Sequence, residues 1–284
     1  MLSALFRMSD AAEITRQAKS NLAFALHILP KDRRDDAVIF YAFCRVIDDL
    51  ADDLDVPLEE RERGLKAWHD GLEQGFPDPD PLQKDLLAMQ KRREIPTELL
   101  VAIIDGCRMD LRPQRFETWE DLSEYTWKVA CAVGLVAMRI FGGEVPGCEK
   151  YAIALGHALQ ITNILRDVRE DFENGERIYL PVADLEKFGL SEEDLANKVH
   201  DDRFSALMSF EADRAEAYYK EARESLQDVD RKAMVAAEIM REIYHALLGK
   251  MRKDGFRVHD QRYSLSKARK MAIFSKHLMK RGAK

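Results

Sequence analysis

Tyr41, Arg45, Asp48 and Asp52 step by four, three and four residues through Tyr41-Ala-Phe-Cys-Arg45-Val-Ile-Asp48-Asp49-Leu-Ala-Asp52-Asp53. On a helix that spacing stacks the four side chains along one face. Asp48 and Asp52 then become neighbouring carboxylates with no Lys or Arg between them on that face. Like charges so placed destabilise a helix by roughly 0.2–0.5 kcal/mol, and aspartate is a poor interior helix former. A divalent cation gives this costly pattern a purpose. Mg²⁺ prefers oxygen ligands, takes one or two carboxylates, and leaves its other positions for water and phosphate. A solvated acidic helix end accounts for the same residues taken alone, since Asp55, Glu59 and Glu60 follow closely.

A second stretch shifts the balance toward the cation. In Gln160-Ile-Thr-Asn163-Ile-Leu-Arg166-Asp167-Val-Arg-Glu170-Asp171, the residues Gln160, Asn163, Asp167 and Asp171 step by three, four and four, again along one face. Ile161, Ile164, Leu165 and Val168 make the remainder apolar, so this helix is expected in the core with its polar stripe turned inward. Buried carboxylates need counter-charge. Arg166 can serve one of them, but a single arginine cannot neutralise two separate acidic rows. Two such rows facing each other across a bundle make a site for several Mg²⁺ ions and a diphosphate.

Other metal chemistries fit less well. The pattern lacks the glycine and alternating acids of an EF-hand loop. A di-iron bundle needs two Glu-x-x-His pairs, and only Glu242 with His245 is present. The seven histidines do not cluster at zinc spacing.

The elements that must hold these rows are helices. No proline occurs between Pro30 and Pro57, between Pro113 and Pro146, between Pro146 and Pro181, or after Pro181. Within those stretches apolar residues recur at three- and four-residue spacing. Thr118 with Asp121 reads as a capping box, opening a helix that should stop at Gly142-Gly143. Another helix should run from near Cys148 to Asn174-Gly175, and Ser191 with Asp194 should start a shorter one. The segment Gly71–Pro81 is the clearest loop, and no strand alternation of useful length is present. The stretches Ile39–Leu50 and Val129–Ile140 are apolar over much of a helical circumference, which places them inside a bundle. The expected fold is all-α: one domain, residues 1–284, of long helices around a central cavity.

Composition agrees. A chain of 284 residues at 46% hydrophobic and 33% charged suits a helix-rich globular protein with a large core. Cys44, Cys107, Cys131 and Cys148 lack metal or disulfide spacing, so free thiols in a reducing cytosol are expected. No apolar run approaches the roughly 20 residues of a membrane span, and Met1–Asp10 does not read as a signal peptide. From Arg252 to Lys284 eleven basic residues face Asp254 and Asp260, a tail of +9 on a chain of −7, which leaves −16 on the body. That distribution argues against a nucleic-acid protein and leaves the tail to hold phosphate, to touch anionic lipid, or to form a solvated face.

At its two motifs the sequence resembles the squalene and phytoene synthase family of head-to-head prenyl transferases. Tyr41-Ala-Phe-Cys-Arg45 followed by Asp48-Asp49-x-x-Asp52 is similar to the first family motif. Asn163-Ile-Leu-Arg166-Asp167-x-x-Glu170-Asp171 is similar to the second, and Arg177-Ile-Tyr179-Leu-Pro181 continues it. The likeness runs from Lys19-Ser20 through Leu29-Pro30 to the Arg262–Lys270 region. It implies an isoprenoid-synthase bundle in which Asp48, Asp52, Asn163, Asp167 and Asp171 surround the metal ions. Tyr41, Arg45, Gln160, Arg166, Tyr244 and residues Ala18, Lys19, Ser20 and Asn21 would contact substrate, with Arg177, Tyr179 and Arg262 as further diphosphate contacts. Tyr41, Arg45, Asp48, Asp52, Asp167 and Asp171 would carry catalysis.

The family's small-residue segment, where a small side chain lets a prenyl tail pass close to the backbone, is Ala130-Cys131-Ala132-Val133-Gly134 here; Cys131 is slightly larger and Ala132 lacks a hydroxyl, a change that bears on chain-length preference and not on reaction class. Leu22 and Leu26 are aliphatic near the substrate entrance. The activity implied is Mg²⁺-dependent joining of two prenyl diphosphates, farnesyl diphosphate by preference, to a presqualene diphosphate or squalene type of product, with NADPH required where squalene is the product. The alternatives are a phytoene synthase using two geranylgeranyl diphosphates, a terpene cyclase, or a non-catalytic helical assembly factor. A cytoplasmic monomer or homodimer with peripheral membrane contact is expected.

Overall fold

The computed structural model describes residue 26, residues 28–144 and residues 147–282, and among them there is no strand. Helix α1 (Lys31–Asp52) begins directly after Pro30, and α2 (Leu58–Gln74) directly after Pro57. The pyrrolidine ring suits a helix start because the amide it removes would have no intrahelical partner there. The remaining long elements are α3 (Pro81–Arg92), α4 (Thr97–Met109), α5 (Trp119–Thr126), α6 (Ala132–Phe141), α7 (Glu149–Glu173), α10 (Asp202–Ser225), α11 (Val235–Lys253) and α12 (Lys267–Gly282). Two short helices, α8 (Val182–Lys187) and α9 (Glu192–Ala196), sit between α7 and α10.

Local signals agree with these ends in most places. Thr118 and Asp121 form the expected capping box, as do Ser191 and Asp194. Gly142 ends α6 with φ 92°, a left-handed conformation that glycine adopts without strain. Helix α7 ends at Glu173, beside the expected Asn174-Gly175. The loop expected over residues 71–81 is shorter than that. Helix α2 continues to Gln74 and the Asp80–Gln83 capping box starts α3 at Pro81. Gly71 lies within α2, and its missing side chain makes room for Phe76, whose ring would lie 2.1 Å from an added Cβ.

Helix α7 is the axis of the molecule. It packs along α10 over its length and also meets α6, α11 and α5. Tyr151, Ala152, Ala154, Leu155, Ala158, Ile161, Ile164 and Leu165 are buried along it. Between α5 and α6 the chain makes a π-helical turn, Trp127–Cys131, which inserts an extra residue into an otherwise continuous helix. This turn lies so close to α7 that a Cβ on Gly156 would sit 2.7 Å from the Cys131 Cα and 2.8 Å from its nitrogen. On the other side a Cβ on Gly106 would meet Val129 Cγ1 at 2.6 Å. Two bare backbones therefore clamp the turn.

The side chain of Cys131 points into this clamp, fully buried, with its Sγ 3.2 Å from the Ile153 carbonyl. That corrects the expectation that the larger Cys131 side chain bears on chain length, because it points toward α7 and does not line the cavity. Ala130, Val133 and Gly134 of the same segment do face the cavity.

Replacing Gly156 with alanine should lower stability by about 1–3 kcal/mol, because the clash is with backbone that cannot give way. Gly249 on α11 has no atom within 4 Å of an added Cβ, so Gly249→Ala should stabilise by roughly 0.5–1 kcal/mol. Urea unfolding midpoints of the two variants should move in opposite directions.

Candidate active site

Both acidic rows open into one cavity of about 720 Å³ between α1, α4, the π turn, α6, α7 and α11. Tyr41, Arg45, Asp48 and Asp52 line it from α1, and Gln160, Asn163, Arg166, Asp167 and Asp171 line it from α7. Arg177, Tyr179, Tyr244 and Arg262 complete the set of residues nominated above that fall within the described chain. Ala18, Lys19, Ser20, Asn21 and Leu22 lie outside the described residues. Leu26 is buried and faces the cavity. Glu242 and His245 do not converge: Glu242 binds Lys276 and His277, while His245 pairs with Glu216 at 2.8 Å. A second groove, of about 810 Å³, lies outside the bundle along α2 and α4 and holds neither row.

Each row stands in the last turns of its helix, α1 ending at Asp52 and α7 at Glu173, and neither last turn carries a basic residue. The helix dipole is negative there, so it disfavours the carboxylates further. Arginines supply part of the missing charge. Arg45 reaches Asp48 at 3.1 Å and Asp49 at 2.5 Å. Arg177 holds Asp52 at 2.9 Å, and Arg166 pairs with Asp167, its Nε lying 2.8 Å from Oδ1. Arg262 lies 3.2 Å from Glu170 and 3.7 Å from Asp167. Asp171 has no such ion pair among the described residues.

The carboxyl groups register this shortage. Asp171 is pushed up to about 8, first by lost solvation and then by the Asp167 charge. Asp48 is pushed up to about 6 by the same two causes, with Asp52 as its neighbour. Half of the Asp48 side chain is open to solvent, but that solvent is confined in a cavity with largely apolar walls. Asn163 Oδ1 is buried without a hydrogen-bond partner. An orphaned oxygen lining the same cavity as carboxyls that resist ionisation fits a divalent cation. Among the described residues no three His, Cys, Asp or Glu side chains close on a point that could hold an ion alone. Carboxylates of this number and placement suit a cation that shares its remaining positions with phosphate oxygens.

Two functional candidates emerge that spacing did not reveal. Asp110, at the end of α4, faces the cavity between the rows, where it raises both Asp48 and Asp171. Tyr125 donates to its Oδ2 at 2.8 Å and Tyr179 to its Oδ1 at 2.7 Å, while Arg177 donates to its carbonyl at 3.1 Å. Burial pushes the Asp110 carboxyl up to about 6 against the pull of the two phenols. Burial also holds both phenols well above their usual range, so they remain proton donors. The rings of Tyr125 and Tyr179 stack at 5.2 Å. The polar ends of Arg177 and Tyr179 are thus engaged with Asp52 and Asp110.

The rest of the cavity is apolar. Phe40, Val129, Ala130, Val133, Gly134, Ala137, Leu155, Met234, Ala237 and Met240 face it, and Phe141 and Tyr151 stand among them. Tyr151 donates its hydroxyl to Glu238 at 3.0 Å, and Arg241 holds Glu238. Cys44 and Cys107 also border the cavity, and burial pushes both thiols up, which keeps them protonated. All four cysteines are free. The geometry can hold an anion with its cations at one end and a long hydrocarbon, screened from water, at the other.

A raised carboxyl binds a proton in the fold that the unfolded chain releases. Without divalent ions Asp171 therefore costs stability progressively as pH rises from its ordinary 3.8 to about 8. Asp171→Asn should gain on the parent protein over that interval, with a larger advantage in urea midpoint at pH 8 than at pH 5. Mg²⁺ with inorganic pyrophosphate should raise the parent's midpoint more at pH 8 than at pH 5. Parallel pH profiles for parent and variant would remove Asp171 from the charge cluster.

Comparison with known proteins bears on this geometry. The profile of the squalene/phytoene synthase family matches residues 15–269. A 15-cis-phytoene synthase of Synechocystis is 34% identical over 273 residues, covering 90% of this chain and 80% of the relative. A presqualene diphosphate synthase of Zymomonas mobilis is 34% identical over 254 residues, covering 88% of this chain and 87% of the relative. A ligand-bound dehydrosqualene synthase has a TM-score of 0.80 at 28% identity, covering 98% of this chain and 97% of the other. A squalene synthase of Alicyclobacillus acidocaldarius has a TM-score of 0.78 at 29% identity, covering 88% and 94%.

Proposed function

The chain belongs to the squalene/phytoene synthase family, and we propose that its two acidic rows bind Mg²⁺ and the diphosphates of two farnesyl diphosphate molecules. It is a prenyl transferase that condenses two prenyl diphosphates head to head. The observation that carries the site assignment is the convergence of both rows, with four arginines, on the polar end of one apolar cavity. Intact rows also weigh against a non-catalytic assembly factor. A second reading, two geranylgeranyl diphosphates joined as in a phytoene synthase, draws on the names of the relatives, since phytoene and presqualene diphosphate synthases are equally similar at 34%.

Asp48 and Asp52 on α1, with Asn163, Asp167 and Asp171 on α7, are the residues that would hold the metal. When bound, Mg²⁺ supplies Lewis-acid stabilisation of the diphosphate oxygens. Arg45, Arg166 and Arg262 add charge-assisted hydrogen bonds to the same oxygens. Arg177 keeps Asp52 in place. Tyr41, Gln160 and Tyr244 contact the substrate near its reacting end. Loss of diphosphate leaves an allylic cation, and the apolar wall keeps water from it while holding the second chain nearby. Carbon–carbon bond formation then competes well with quenching.

Tyr125 faces this end of the cavity and holds the Asp110 carboxyl through its phenol proton. Its phenol stays protonated, and its bond to Asp110 orients it. NADPH is required if the product is squalene, and not if the reaction stops at presqualene diphosphate or ends in proton loss. No described helix is long and apolar enough to cross a membrane, and contact with a membrane surface is part of this reading because substrates and products are prenyl lipids.

Incubation with farnesyl and geranylgeranyl diphosphates and Mg²⁺, with and without NADPH, followed by mass spectrometry, tests the reaction and its chain length together. A thirty-carbon product is expected with farnesyl diphosphate, and Asp48→Asn or Asp167→Asn should abolish it while circular dichroism stays unchanged. Near-normal turnover in either variant would defeat the metal assignment. Tyr125→Phe should reduce turnover by about 10–100-fold with little change in substrate affinity, and a rate equal to the parent's would remove the Tyr125–Asp110 bond from the working of the site.

A further inference from the structure

Helix α12 (Lys267–Gly282) presents a solvent face that the prenyl-transfer site does not use. Its inner side is anchored. Ile273 is 3% exposed, and His277 and Lys276 both bind Glu242 on α11, at 2.9 and 2.8 Å. On the opposite side Met271, Leu278 and Met279 are 49%, 43% and 70% exposed. Among the described residues these are three of the five large hydrophobic side chains that stand in solvent.

The three are not scattered. At 3.6 residues per turn they share one sector, roughly 120° wide, with the small residues Ala268, Ala272 and Ser275. Lys267 borders one edge of that sector, and Lys276 and Arg269 border the other. The helix contains no Asp or Glu. It belongs to the +9 tail on a body of −16, so its basic edges stand out against an acidic molecule. The family match stops at residue 269, before the exposed apolar positions.

We propose that this face of α12 docks the enzyme on an anionic lipid bilayer, with Met271, Leu278 and Met279 entering the headgroup–acyl boundary and Lys267 and Arg269 meeting lipid phosphate. An apolar stripe with basic margins is what a helix lying in a membrane interface requires. The charge complementarity selects an anionic membrane over a neutral one. The proposal rests on the reading that the enzyme works at a membrane surface, and it names the element responsible.

The test is co-sedimentation of the full chain with phosphatidylcholine vesicles, with and without phosphatidylglycerol. The parent should bind the anionic vesicles in a salt-sensitive manner and leave the neutral ones. Met271→Ser/Leu278→Ser/Met279→Ser and Lys267→Gln/Arg269→Gln should each lower binding by about tenfold. Both variants should keep full turnover in solution, because none of these residues lines the cavity. A triple serine variant that binds as well as the parent would overturn the role of α12 and leave the membrane reading standing. A parent that binds neither vesicle would overturn both. A parent that is dimeric in gel filtration, with a monomeric triple variant, would make this face a contact between copies and overturn the proposal.

Discussion

Negative charge concentrated at the ends of two helices is the constraint on which the rest of the molecule depends. Asp48 and Asp52 in the closing turns of α1, and Asp167 and Asp171 in those of α7, stand where the peptide dipoles already repel them. Asp110 adds a fifth carboxyl between them. The surrounding apolar wall makes the repulsion harder to screen, and Asp48, Asp110 and Asp171 respond by holding their protons to higher pH. Four arginines offset part of the imbalance. Two of them, Arg177 and Arg262, come from segments outside both helices. A protein that kept such a cluster for stability alone would do better with fewer acids.

The π turn settles how the wall meets the charge. Its extra residue lets Tyr125, Val129, Ala130, Val133 and Gly134 all face one cavity, although a regular helix would carry some of them away. The turn is tolerated because Gly156 and Gly106 leave space for its backbone. Polar and apolar ends of the site therefore share a single continuous wall, from the Asp110–Tyr125 pair to the ring of Tyr151.

Much of this could be read from residue spacing, because the relevant periodicity was local. Four- and three-residue steps place both rows on helix faces, Pro30 and Asn174-Gly175 mark the start of α1 and the end of α7, and the capping boxes mark helices beside them. What spacing could not reveal was tertiary. Asp110 and Tyr125 sit in ordinary stretches, and only the return of the chain at Tyr179 brings their partners together. The π turn leaves no mark on a hydrophobic pattern, so the side to which Cys131 points is not legible in the sequence. The loop read from Gly75, Pro77, Pro79 and Pro81 begins later than Gly71, because Gly71 stays helical and its bare backbone is what Phe76 folds over.

Helix α1 is fixed at more than one point. Asp36, 2% exposed, is gripped by Arg92 and Arg93 from the end of α3, and Arg33 donates to the Ile140 carbonyl at 2.8 Å. At the far end Arg61, itself buried, donates to the Ala51 carbonyl at 2.7 Å, beside Asp52. A helix moored in this way loses little conformational freedom when a ligand arrives. Preorganisation of one acidic row leaves the affinity for the diphosphates to be spent on the reacting ends of the substrates rather than on assembling the protein around them.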